Sequence, residues 1–278
     1  MIIVVLALMP ALLFGMYNVG LQHYMAIGME VGFWTRFFYG LLAVLPQIVI
    51  SYVVGLGIEF TVAQMKGEEI AEGFLVTGIL IPMILPIDTP LWMVAVATAF
   101  AVIFAKEVFG GTGYNIFNVA LIARAFLFFS YPSKMSGDKV FVRTGSALGM
   151  GRPEMVDGVA KTVDGFSGAT PLTQLATTDA SHFASFSFTG VTGQPLSLSD
   201  MFWGFIPGSV GEVSTFAILL GAILLISTGV GSWKTMLSVY LGGLFTITLV
   251  NLFAVNATME MPAYYHFLLG GFAFGAVF

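Results

Sequence analysis

The stretch from Phe37 to Ile58 reads FFYGLLAVLPQIVISYVVGLGI, 22 residues without one charged side chain. Coiled as an α-helix it would run about 33 Å at 1.5 Å per residue, enough to cross a hydrocarbon core of about 30 Å. It is the centre of a longer apolar segment, 34–58, and the rest of the chain repeats the pattern. Hydrophobic residues make up 58% of the 278 and charged residues 9%, and mean hydropathy is +0.94. Soluble domains carry roughly 25% charged residues, so this composition cannot dress a water-facing surface. The fold class is an all-α polytopic membrane protein.

Working outward, about eight segments have spanning character: 1–21, 34–58, 73–88, 90–109, 115–131, 213–231, 235–254 and a partial one at 264–278. Pro10, Pro46, Pro82 and Pro86 lie within or at the ends of these runs, which predicts kinked or broken helices, since proline removes a backbone donor. Met1 leads straight into the apolar run Ile2–Phe14, which reads as the first span and not as a cleaved leader. At the other end His266–Phe278 is only 13 residues, so the chain reads as truncated there. Three regions follow: membrane helices over 1–131, one long polar, extramembrane loop region over 132–212, and membrane helices over 213–278. Lys66, Lys106 and Lys234 fall on one side and Arg36 near the other. The positive-inside rule then puts the lysines in the cytoplasm and 132–212 on the opposite, periplasmic side. Gly73-Phe74 with Gly78 and Gly271-Phe272 with Gly275 each open an apolar segment, a candidate inverted repeat of the kind transporters use.

The net charge of −5 is spread thinly, with no basic tract, which argues against nucleic acid as a partner. With no cysteine, the chain alone holds no disulfide and no thiolate-ligated iron–sulfur cluster, so redox work would need an organic cofactor. His23, His182 and His266 share no metal-ligand spacing and read as interfacial or loop histidines.

Four places could carry chemistry. In Asp164-Gly165-Phe166-Ser167-Gly168-Ala169-Thr170 a carboxylate precedes small residues and two hydroxyls. Such a run makes a solvated turn for local reasons, or else presents Thr170 as an exposed hydroxyl that an enzyme could esterify. Lys106-Glu107-Val108-Phe109-Gly110-Gly111-Thr112-Gly113 joins two spans, either as a tight re-entry or as a backbone cradle. Asn115 and Asn118 follow it one turn apart, on one face if helical. Glu59, Glu107, Arg124 and Glu212 are ionisable residues at or within spans, where a charge is normally paired or faces a cavity. Glu59 and Glu212 lie near segment ends, where solvation suffices; Arg124 lies nine residues inside its segment. Phe274 and Phe278, four apart, share a helix face, pointing to lipid or narrowing a pathway.

These residues resemble the B-subunit family of the sodium-translocating NADH:quinone reductase over nearly the whole chain. The likeness is carried by Phe14-Gly15-Met16-Tyr17-Asn18, Glu72-Gly73-Phe74, Ala105 to Gly113, Arg124-Ala125-Phe126-Leu127-Phe128-Phe129, Pro207-Gly208-Ser209 with Gly211-Glu212-Val213-Ser214-Thr215, and Gly270 to Gly275. The run ending at Thr170 is similar to that family's flavinylation signature, which implies FMN joined to Thr170 through a phosphoester. Asp164, Ser167, Gly168 and Ala169 would then be the pattern read by a flavin transferase. By position, Gly55 and Glu59 match residues associated with quinone, Asn115 and Asn118 a stretch near non-covalent riboflavin, and Phe274 and Phe278 residues narrowing the Na+ path. Gly55-Leu56 and Asn118-Val119 stand where the family commonly has Gly-Gly and Asn-Pro. The resemblance implies a redox subunit among other subunits of a sodium pump in the bacterial inner membrane, passing electrons toward a quinone. A flavin-carrying D-type subunit of the related ferredoxin:NAD reductase, a passive channel or transporter, and a structural scaffold are the alternatives.

Overall fold

The computed structural model describes residues 1–67, 72–136, 140–148 and 167–278, together with the backbone of two short strands, β1 (Met155–Val156) and β2 (Val159–Ala160), paired antiparallel. Asp164, at the head of the Thr170 run, lies outside the described residues.

Two long helices begin the chain, α1 (Ile2–Ala26) and α2 (Phe33–Lys66), followed by α3 (Phe74–Ile84), α4 (Leu91–Ala105) and α5 (Val119–Ser130). The polar region holds α6 (Pro132–Met135), α7 (Pro171–Ala176) and α8 (Leu198–Trp203). Then come α9 (Thr215–Ser227), α10 (Trp233–Leu252), α11 (Ala257–Glu260), α12 (Ala263–Leu268) and α13 (Gly271–Val277). Among the described residues, four helical stretches are long and apolar enough to cross a membrane: α1, α2, α4 with the 3₁₀ turn after it, and α10; α3, α5 and α9 are shorter apolar helices.

The prolines act in two ways. Pro10 and Pro46 sit inside α1 and α2 without ending them. Pro86, by contrast, holds Leu85 extended (φ −88°, ψ 153°) and stops α3 at Ile84, four residues before the apolar run ends. Carbonyls freed in this break need partners where no water reaches. The buried Gln47 amide donates to the Ile87 carbonyl at 3.0 Å, and Arg143 Nη2 donates to the same oxygen at 2.7 Å. The last apolar segment is likewise two pieces, α12 and α13, hinged at Gly270 with φ +76°, and Thr215 Oγ1 donates to the Leu268 carbonyl at 2.9 Å.

The main core gathers α1 to α5 with α9 and α13. α1 and α2 pack closely because Gly40 has no side chain: a β-carbon there would lie 1.7 Å from the Met16 carbonyl oxygen. A second cluster, including Leu175, Phe188, Met201, Val213, Met261 and Leu269, ties the polar region to α11 and α12. The segment 204–213 is not surface loop. Val210 and Ser209 are buried, Gly211 N donates to the Met83 carbonyl at 2.8 Å, and Asn18 Nδ2 donates to the Ile206 carbonyl at 2.9 Å. It threads between α1 and the end of α3 before α9 begins.

Candidate functional site: two cavities joined through a broken helix

Thr170 is the N-cap of α7. Its hydroxyl accepts from Thr173 N at 3.3 Å and shares a hydrogen bond with Thr173 Oγ1 at 2.9 Å, the usual work of a capping threonine. Pro171 follows at the first helical position, where its missing N–H costs nothing. Gln174 holds this corner in place, donating to the carbonyls of Ala169 at 3.0 Å and Thr189 at 2.8 Å. Of the preceding run, Gly168 and Ala169 are buried, and Ser167 Oγ accepts from Ala169 N at 3.4 Å. The corner is therefore more than a solvated turn.

Thr170 opens onto a cavity of about 540 Å³, within the range of about 300–1,000 Å³ typical of cofactor sites. Phe128, Phe141, Phe272 and His266 give its wall flat apolar surface, and Arg124 and Glu212 supply charge. Arg124 Nη1 donates to Glu212 Oε1 at 2.7 Å, joining α5 to the buried segment before α9. So Glu212 is paired, not simply solvated at a segment end as its position suggests. His266, read as an interfacial histidine, belongs to this wall as well.

A second cavity of about 390 Å³ lies at the other end of the bundle, lined by Gly73, Lys106, Thr112, Asn115, Asn118 and Phe278 among others. Asn115 and Asn118 do not share a helix face as expected, because α5 starts only at Val119. Asn118 is its N-cap, its Oδ1 accepting from Ala120 N at 2.9 Å and Leu121 N at 3.2 Å, while Asn115 Nδ2 donates to the Phe117 carbonyl at 3.1 Å. Both nonetheless border the cavity. Lys106, on the same wall, forms a buried ion pair with Glu59, another carboxylate whose position suggested plain solvation. The sequence did not single out Lys106 as its partner, although both residues end apolar segments on one side of the bundle. Gly55 borders neither cavity: the Phe74 ring packs against it, and a β-carbon there would lie 1.8 Å from Phe74 Cζ. Lys66 pairs with Glu107 at 3.5 Å.

α13 stands between the two cavities. Gly271 and Phe272 at its start line the first, and Phe278 at its end lines the second. Phe274 and Phe278 meet along it as a tilted pair, ring centroids 5.2 Å apart and planes at 48°, and Phe274 is buried. A β-carbon on Gly211 would lie 2.8 Å from Met83 Cβ and 3.1 Å from Phe274 Cε2, so α3, the buried segment and α13 meet at one point. The two Gly-Phe pairs that suggested a repeat both stand at the starts of short helices, α3 and α13.

Fold and site together define a multi-pass helical membrane protein with a cavity at either end of its bundle and a broken helix between. The model of the NQR2, RnfD, RnfE family matches residues 1–278, and the chain belongs to that family. It is 40% identical to the B subunit of the Na(+)-translocating NADH-quinone reductase of Chromohalobacter salexigens, over 100% of this chain and 66% of the relative. The B subunits of the same reductase from Neisseria meningitidis serogroup B and Klebsiella pneumoniae are 39% and 38% identical, over 100% of this chain and 69% of each relative. The chain thus spans about two thirds of the length of the curated relatives it matches.

Proposed function

We propose that this chain is the flavin-bearing membrane subunit of a Na+-translocating NADH:quinone reductase, with FMN held as a phosphoester on Thr170. The observation that carries the reading is Thr170 in the wall of a cavity of about 540 Å³ that also presents a cation, Arg124, and aromatic side chains. The residues fit the group. Esterified Oγ1 would lose its proton yet keep a lone pair for the Thr173 N–H, so the start of α7 would survive. Arg124 offers a partner for the phosphoester anion, and Phe128, Phe141 and Phe272 offer surface for a flat ring system. The flavin would supply the electron-carrying chemistry, while the protein positions it and sets its electrostatic surroundings.

On this reading the second cavity, with Asn115 and Asn118, takes a non-covalent riboflavin, and Glu59 with the Gly55 flank lies toward the quinone. Sodium would pass along α13, with Phe274 and Phe278 as its constriction. The Thr170 end of the bundle would face the periplasm of a bacterial inner membrane, and other subunits would deliver electrons from NADH. A flavin transferase would load Thr170. A passive channel would need none of this apparatus. The discriminating experiment expresses the chain with a flavin transferase and views a denaturing gel under ultraviolet light. A fluorescent band that disappears in Thr170→Ala supports the proposal, and a dark parent band rejects it.

A further inference from the structure

Among the described residues lining the Thr170 cavity, Arg124 is the one permanent cation and Glu212 the one carboxylate. They bond to each other at 2.7 Å with side chains 35% and 20% exposed, Arg124 the more open of the two. A guanidinium carries five N–H donors in a planar fork, and among the described residues only one of Arg124's is in a hydrogen bond, the one to Glu212. The Glu212 backbone is held in place, since its carbonyl lies against Gly270, where a β-carbon would come within 2.0 Å of the oxygen.

We propose that Arg124 is the cation shared between Glu212 and the group on Thr170, and that this pair sets how readily that group is reduced. The inference rests on the flavin reading above. Each electron given to the ring adds one negative charge unless a proton follows it, and a cation on the same wall favours the added charge. Glu212 opposes it twice, by its own charge and by pairing with Arg124. Removing the arginine and removing the carboxylate must then move the equilibrium in opposite directions. A purely structural role for the pair would move both the same way.

The test is a mediated electrochemical titration of the full chain loaded with flavin, electrons being supplied by the electrode and the flavin followed by its absorbance. At a fixed ambient potential, Arg124→Gln is expected to lower the ratio of reduced to oxidised flavin at least threefold, and Glu212→Gln to raise it at least threefold. Arg124→Lys, which keeps the charge, should stay within twofold of the parent. Glu212→Gln leaves Arg124 an amide oxygen to bond and decides the question alone if Arg124→Gln does not load flavin. A loaded parent whose variants leave the ratio unmoved, or shift it in the same direction, overturns this inference and leaves the flavin reading standing. A parent that carries no flavin on Thr170 overturns both.

Discussion

Gly55 lies in the middle of α2 with the Phe74 ring pressed against its Cα, so the space a methyl group would need is already filled. Gly55→Ala should destabilise the protein by about 1–3 kcal/mol through overpacking, measured by unfolding in detergent; a neutral result would mean that α3 can shift freely on α2. Glu59, one helical turn further on, is buried against Lys106. Removing one member of a buried pair leaves the other uncompensated, at about 3–5 kcal/mol. Lys106→Met alone should cost that much, and Glu59→Gln with Lys106→Met should recover most of it in the same unfolding assay. These pairings are not legible in the sequence, because they join residues far apart along it. Arg124 could be singled out because nine residues of apolar run precede it. Its partner could not, because Glu212 is 88 residues away and reaches it only through a buried segment with ordinary loop composition.

At the scale of elements, hydropathy located the long helices well because their signal is local: α1, α2 and α10 all lie where apolar runs of spanning length lie. It could not tell a span from a half-span. α3 stops where Pro86 makes Leu85 extended, and the last segment breaks at Gly270, whose positive φ no run of hydrophobic residues announces. The segment 204–213 misleads for the opposite reason, since its glycines and Ser209 look solvated while its backbone groups and the Ser209 hydroxyl bond to α1 and α3. Outside the spans, α11 is tied to the 3₁₀ turn at Phe183–Ser185 by Glu260, which accepts from His182 at 2.7 Å and from Phe183 N at 2.8 Å. Those two hydrogen bonds hold the Glu260 carboxyl below its ordinary value of 4.5. A depressed carboxylate stabilises the fold above its unfolded-state pKa and loses that contribution as pH falls through the folded value. Protection of the 257–260 amides, taken relative to their intrinsic exchange rate at each pH, should therefore fall only as the pH drops below about 4.5, and Glu260→Gln should flatten that dependence; equal acid sensitivity in the variant would remove Glu260 as the tie.

For the molecule as a whole, the ends of the bundle sort the charges. The Lys66–Glu107 pair brings the ends of α2 and α4 together, and Ala7 packs on Gly221 while Gly15 packs on Val210, so α9 runs antiparallel to α1 and brings Lys234 to that same end. Arg36 and Arg143 stand at the other end, where the Tyr39 hydroxyl donates to the Gly145 carbonyl at 2.5 Å and His23 Nδ1 to the Arg143 carbonyl at 2.7 Å. Because the chain has no cysteine, single cysteines report this arrangement directly. With the proposed orientation, Ser181→Cys should react with a membrane-impermeant maleimide in intact spheroplasts, and Met65→Cys only after permeabilisation; the reverse pattern would invert the protein. The two cavities then lie at opposite ends, with Phe274 and Phe278 between them, and every step of the proposed electron and ion traffic depends on what Thr170 carries. The most direct measurement is mass spectrometry of the peptide spanning Asp164 to Gln174, from protein made with a flavin transferase. With FMN on Thr170 the peptide carries the added mass of one FMN phosphoester, lost in Thr170→Ala; an unmodified peptide, or a flavin that persists in Thr170→Ala, would contradict that attachment.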